Sequence, residues 1–234
     1  MPIWDQNQIN AEQVRAAVGV VRERIAQAVQ RGGHGQEVTL VAVTKTHGPD
    51  AVEAAYAAGI VDVGENKVQE ATAKMALVSV PVRWHLIGHL QRNKAAHALD
   101  FDLVHSVDSE RLAVALHTAA LKAEKVLDVM LQVNVSGEES KGGIEPASVG
   151  SLAERLHELT CLRFRGVMTM APLGADELLL RRVFTGARES RSVLQASGHP
   201  ADWLSMGMSG DYEIAVEEGA THVRLGTVLF GNRN

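Results

Sequence analysis

Three groups of residues in this chain have types and settings suited to chemistry. The first is Lys45, which closes the run Val38-Thr39-Leu40-Val41-Ala42-Val43-Thr44. A buried ammonium is costly. A lysine at the end of a β-branched, apolar run therefore either snorkels to water, or is desolvated with a lowered pKa and forms a Schiff base with a carbonyl compound. The second group is Ser209-Gly210 and Gly226-Thr227, small residues that each precede a helical segment. Backbone N–H groups at two helix starts, with two hydroxyls, make an anion cradle; the plainer reading is two N-caps in tight turns. The third is Arg224, set between Val223 and Leu225 and sharing a strand face with His222 and Gly226. An arginine inside an apolar strand needs a partner, either a carboxylate or the heterocyclic nitrogen of a ligand.

The elements that must position these groups follow a regular order. An amphipathic helix over 10–31 has Val14, Val18, Val21 and Ile25 on one face, with Asn10 as its cap and Gly32-Gly33 as its stop. It is expected either as a lid on the bottom of the domain or as part of an interface. Strands are then predicted at 38–44, 61–64, 82–87, 103–107, 126–135, 162–170, 203–206 and 222–226. Helices lie between them at 49–58, 66–77, 91–98, 108–124, 146–158, 176–196 and 211–218. The strand at 126–135 reads as the longest. Eight βα pairs with no Pro/Ser-rich linker predict one α/β domain over 1–234, a single-domain (β/α)8 TIM barrel with an extra N-terminal helix. A doubly wound sheet is the alternative, but no G-x-G-x-x-G follows the first strand. In a barrel, chemistry collects at the carboxyl ends of strands, and phosphate sites form in the turns after the seventh and eighth. Lys45 is expected on one side of the mouth, with those two turns diametrically across from it.

Composition narrows the function classes. Of 234 residues, 46% are hydrophobic but only 4% aromatic, and the net charge is −5 without a basic block. Nucleic-acid binding is not expected. The single cysteine, Cys161, excludes an internal disulfide and a thiolate metal cluster. His85 and His89 are four apart but straddle a strand end, so no metal site is expected. Neither a signal peptide nor a membrane-spanning stretch is read, and the expected location is cytoplasmic.

An aldehyde-reactive amine, a phosphate cradle and a ring-nitrogen donor are together what pyridoxal 5′-phosphate (PLP) requires. The aldehyde takes Lys45, the phosphate takes Ser209, Gly226 and Thr227, and the ring nitrogen meets Arg224. An arginine there keeps that nitrogen unprotonated, which weakens the electron sink and disfavours transamination, but not simple holding of the cofactor.

The chain resembles the YggS/PROSC family of PLP homeostasis proteins over nearly its full length. The matching stretches are Leu40–Lys45, Gly64–Glu70, Trp84–Lys94, Gly166–Pro172, Leu204–Ser209 and Val223–Thr227 with Phe230-Gly231. The resemblance implies a barrel like the N-terminal domain of alanine racemase, with the cofactor on Lys45 and Asn66, Ser205, Ser209, Arg224, Gly226 and Thr227 around it. It implies a carrier or regulator of PLP, delivering it to PLP-dependent apoenzymes, without established turnover and with no catalytic residue. Lys141 falls in a lysine-bearing loop of the family and reads as solvated or as an aid to transfer. The protein is expected as a monomer or weak homodimer. A weak PLP-dependent amino-acid racemase or decarboxylase is the alternative. It needs a second acid/base group, which alanine racemase takes from an added β-domain not expected here. A Schiff-base aldolase for phosphosugars is a third reading.

Overall fold

The structure is a computed structural model that describes residues 9–138 and 141–231. Met1 to Gln8, on which part of the leader reading fell, and residues 139–140 and 232–234 lie outside the described residues. Eight parallel strands close into a barrel in sequence order. They are β1 (Thr39–Val43), β2 (Asp62–Glu65), β3 (Arg83–Leu86), β4 (Leu103–Val107), β5 (Leu127–Gln132), β6 (Leu162–Met168), β7 (Trp203–Ser205) and β8 (His222–Leu225). Buried on both faces, they read as apolar runs because helices cover the outside. The covering helices are α1 (Ala11–Gly32), α2 (Pro49–Ala57), α3 (Val68–Met75), α4 (Glu110–Lys122), α5 (Val149–Leu156), α6 (Glu177–Ala196), α7 (Tyr212–Glu217) and α8 (Thr227–Phe230). No described helix is long and apolar enough to cross a membrane.

Closure corrects one expectation about the mouth. β8 pairs directly with β1, Val41 opposite Arg224 and Ala42 opposite Leu225. The turn after β8 therefore adjoins the lysine strand instead of facing it across the barrel. β5 is also shorter than 126–135. Past Gln132 the backbone bonds with the loop: the Ile144 N–H donates to the Gln132 carbonyl at 2.8 Å, and the Asn134 N–H to the Ile144 carbonyl at 2.9 Å. β6 is the longest strand. The segment expected as a helix at 91–98 is a 3-10 helix over Arg92–Asp100, and the one at 146–158 divides into a 3-10 turn, Pro146–Ser148, and α5.

α1 starts where its cap predicts. Asn10 Oδ1 accepts the N–H groups of Glu12 and Gln13, and Gly33 ends the helix at φ 70°. The helix is not a lid on the barrel bottom. It lies on the flank, packed along α2, α7 and α8. The last two have only six and four residues, so the β8/β1 seam needs further cover, which Val14, Val18, Val21, Ile25 and Ala28 supply. The Arg31 guanidinium bonds Glu217 at 2.5 Å. At the crossing, a Cβ on Gly32 would strike the Glu217 backbone. Gly32→Ala is therefore expected to cost about 1–3 kcal/mol in denaturant unfolding. Gly19→Ala, on the open face of the same helix, is expected to stabilise by about 0.5–1 kcal/mol.

Candidate functional site

A cavity of about 720 Å³ opens at the carboxyl ends of the strands, a size suited to a small ligand. Lys45, Asn66, Ser209, Arg224, Gly226 and Thr227 all line it. Ser205 does not. It is fully buried beneath Arg224, whose guanidinium donates to its Oγ at 2.6 Å.

Lys45 lies two residues past β1, half-buried, on a segment held from outside the strand. Thr44 Oγ1 donates to Glu65 Oε1 at 2.6 Å, and the Thr44 carbonyl accepts from Lys74 Nζ at 2.8 Å. Thr46 has φ 68°, unusual for a β-branched residue, and its N–H donates to Glu70 Oε1. Lys74 is wholly buried, 2.5 Å from Glu65 and 3.5 Å from Glu70. Burial pushes the Glu65 carboxyl above its usual range, and Lys74 pulls it part of the way back. Glu65 ends β2 at the same level as this segment. It is buried and absent from the cavity wall, and it braces the backbone around Lys45.

The two terminal turns are tied together. Ser209 Oγ accepts the Val228 N–H at 3.3 Å, so the turn after β7 contacts the first turn of α8. Asp211 also lines the cavity, but its Oδ1 accepts the Met208 N–H at 2.6 Å and braces the turn. Burial raises its pKa. Gly88 sets the opposite wall, where a Cβ would strike the Asn66 carbonyl; the β3 turn can close on Asn66 only as glycine.

Arg224 is buried, and no carboxylate lies within ion-pairing distance of it among the described residues. Its second terminal nitrogen donates to the Thr169 carbonyl at 3.0 Å. Burial lowers its pKa to about 10, so it stays cationic at neutral pH. Its neutral acceptors answer the question left by the sequence: the arginine is held by the barrel interior without an ion pair.

Below it the interior is polar. Ser205 Oγ lies 2.8 Å from His105 Nδ1, His105 Nε2 lies 2.8 Å from His85 Nδ1, and His85 Nε2 lies 2.9 Å from Asp62 Oδ1. Asp62 also takes Arg83 in two bonds of 2.7 and 2.6 Å. Burial alone would raise the Asp62 pKa; the His85 and Arg83 hydrogen bonds outweigh it and bring it down to about 2. A carboxyl whose folded pKa is depressed contributes stability above its unfolded pKa, and that stability is lost as pH falls through the folded one. The expected result is a loss of stability between pH 3.8 and about 2 that Asp62→Asn makes shallower, read from denaturant midpoints along a pH series.

His89 lines the cavity, bonds Asp108 at 2.9 Å and is largely exposed. Lys141, read as a solvated loop lysine or a transfer aid, lies on the cavity wall, where its carbonyl accepts from Gln132 Nε2 at 2.8 Å. No described group of His, Cys, Asp and Glu could hold a metal ion.

Residues 18–234 match the family model described as alanine racemase, N-terminal domain. The pyridoxal phosphate homeostasis protein of Aquifex aeolicus is 42% identical over 217 residues, 91% of this chain and 95% of the relative. That of Pseudomonas aeruginosa is 43% identical over 220 residues, 93% of this chain and 94% of the relative. The chain belongs to the pyridoxal phosphate homeostasis protein family. A solved family member, PipY of Synechococcus elongatus with PLP bound, superposes with a TM-score of 0.83 at 37% identity, covering 93% of this chain and all of PipY. Alanine racemase from Streptomyces lavendulae shares the fold at a TM-score of 0.79 and 19% identity; the chain spans 58% of that enzyme.

Within this family fold, sequence reading missed Lys74, Glu70 and the His85–His105–Asp62 set. Polar residues inside apolar strands were the available signal for the histidines and the aspartate. For Lys74 there was only an ordinary Glu70–Lys74 spacing on a helix.

Proposed function

We propose that the chain binds PLP through Lys45 and serves PLP homeostasis, holding the cofactor and passing it to apoenzymes without turning over a substrate of its own. One observation carries this reading: an amine, a buried guanidinium and two small-residue turns line the same open cavity. When bound, PLP supplies an aldehyde that condenses with an amine and a ring that withdraws electrons. Lys45 provides the amine on a braced segment. Ser209, Gly226 and Thr227 provide hydroxyls and helix-start N–H groups for the phosphate. Arg224 can only donate, so it would hold the ring nitrogen as an acceptor, without a proton. Asn66, just past β2 on the cavity wall, would hold the cofactor from that side.

Two features support holding over turnover. Carbanion chemistry needs a proton-transfer group against the substrate; neither Tyr56 nor Tyr212 lines the cavity, His89 there is bound to Asp108, and Asp211 is engaged in bracing its turn. The rim also carries Leu173, 97% exposed, next to Pro172 and Gly174 on the cavity wall. An apolar side chain at an open mouth suits contact with a recipient protein.

The test is a PLP titration of the purified protein followed by absorbance, with borohydride reduction and peptide mapping. The expected result is one equivalent bound, attached at Lys45. Attachment at Lys141 instead, or loss of substrate α-deuterium to solvent at catalytic rates, would overturn the reading.

A further inference from the structure

The polar residues that cross the barrel form a chain with a fixed direction. Asp62 on β2, His85 on β3, His105 on β4, Ser205 on β7 and Arg224 on β8 are linked by hydrogen bonds of 2.6–2.9 Å. All five are at most 5% exposed. The links climb from the first residue of β2 to the cavity at the carboxyl ends.

Donor inventory sets the direction from both ends. Arg224 has no acceptor, so it donates to Ser205 Oγ. Among the described residues, only Arg224 and His105 lie within hydrogen-bond distance of that oxygen. The serine proton therefore goes to His105 Nδ1. A neutral His105 then carries its proton on Nε2 and donates to His85 Nδ1. His85 carries its own on Nε2 and donates to Asp62. Starting from the other end, an ionised Asp62 can only accept, and the same tautomers follow in reverse order. The two ends agree only if both histidines are neutral. Burial holds His105 well below the ordinary imidazole range, in keeping with that count. Every buried N–H and O–H along the line is thereby satisfied, as buried polar groups require.

We infer that Asp62, His85 and His105 are positioning residues that act through Ser205 to hold the Arg224 guanidinium as a fixed donor toward the ring nitrogen of the cofactor. The inference rests on the proposed PLP site for the purpose of the chain, but not for its existence. Without His105, the serine proton loses its acceptor and is free to rotate. The acceptor that fixes one arm of the guanidinium is then no longer aimed.

Two measurements test this. Long-range ¹H–¹⁵N spectra of the protein without PLP are expected to show His85 and His105 as neutral Nε2–H tautomers. A neutral Nδ1–H form of either, or a cationic His105 at pH 7, overturns the inference whether or not PLP binds. In PLP titrations, His105→Leu is expected to weaken binding about tenfold, the scale of one displaced hydrogen bond in a buried network. His105→Gln, which can accept from Ser205 and donate to His85, is expected to recover most of it. In an Arg224→Gln background the His105→Leu effect is expected to vanish, because it acts through the arginine. Additive losses would assign His105 a merely structural role and sink the inference. If His105→Leu fails to fold, the tautomer spectrum alone decides. If the wild type binds no PLP, the proposed function fails, while the tautomers still report on the chain.

Discussion

Lys45→Ala is expected to abolish the visible absorption change that PLP gives on binding, at any concentration of added PLP. The cradle and Arg224 would remain, so weak non-covalent binding persists without the band. Lys45→Arg is the sharper variant, because it keeps a cation at the same place and cannot condense with the aldehyde. The readout need not be optical. At PLP one hundred times above the wild-type dissociation constant, binding stabilises the folded state by about 2.7 kcal/mol. For a chain of this size that corresponds to a rise of about 5–10 °C in Tm. Most of that rise should be missing from both variants, while their melting without PLP stays close to wild type, since Lys45 is half-buried and lies outside the barrel ladder. A band that survives Lys45→Ala would move the covalent attachment elsewhere, with Lys141 on the same wall as the next candidate.

The barrel was legible because its strands are short apolar runs spaced by amphipathic helices, a pattern that sequential parallel pairing turns into closure. Lys45 and Arg224 were legible for a related reason: each is a cation where an apolar strand should have none. Asp62, His85 and His105 stand out in a similar way, as polar side chains inside apolar strands. Their meaning depends on which strands place side chains at one level of the interior, and alternation along one strand does not say so. Ser205 was grouped with the cofactor residues from resemblance. The structure puts it one bond behind, since the last residue of β7 points at Arg224. The end of β5 was overread because Val133 and Val135 continue an apolar run, while Ile144 competes for the backbone of Gln132 and Asn134.

Lys74 shows where sequence reading stops. On α3, Glu70 and Lys74 have the i,i+4 spacing of a solvated surface pair, worth a few tenths of a kcal/mol. In the fold, Lys74 is fully buried and donates to Glu65 and to the Thr44 carbonyl, while Glu65 Oε2 has no hydrogen-bond partner among the described residues. Lys74→Met should keep the volume but strand a carboxylate in the interior, at a cost of about 3–5 kcal/mol at neutral pH. The pH dependence is the distinguishing feature. Burial already raises the Glu65 pKa, and removal of the ammonium raises it further. A carboxyl with a folded pKa above its unfolded value favours the folded state below the unfolded pKa, and that advantage is lost as pH rises through the folded one. The deficit of Lys74→Met relative to wild type should therefore be largest at neutral pH and shrink as pH falls toward the ordinary glutamate value of 4.5. Adding Glu65→Gln should restore most of the neutral-pH stability, since the fully buried carboxylate is then gone and Glu70, which also loses the ammonium, keeps the Thr46 N–H. Because the same ammonium holds the Thr44 carbonyl next to Lys45, Lys74→Met should also weaken PLP binding. A variant that unfolds within about 0.5 kcal/mol of wild type at pH 7, the range of an unremarkable surface change, would mean that water reaches this triad and that the backbone bearing Lys45 is held some other way.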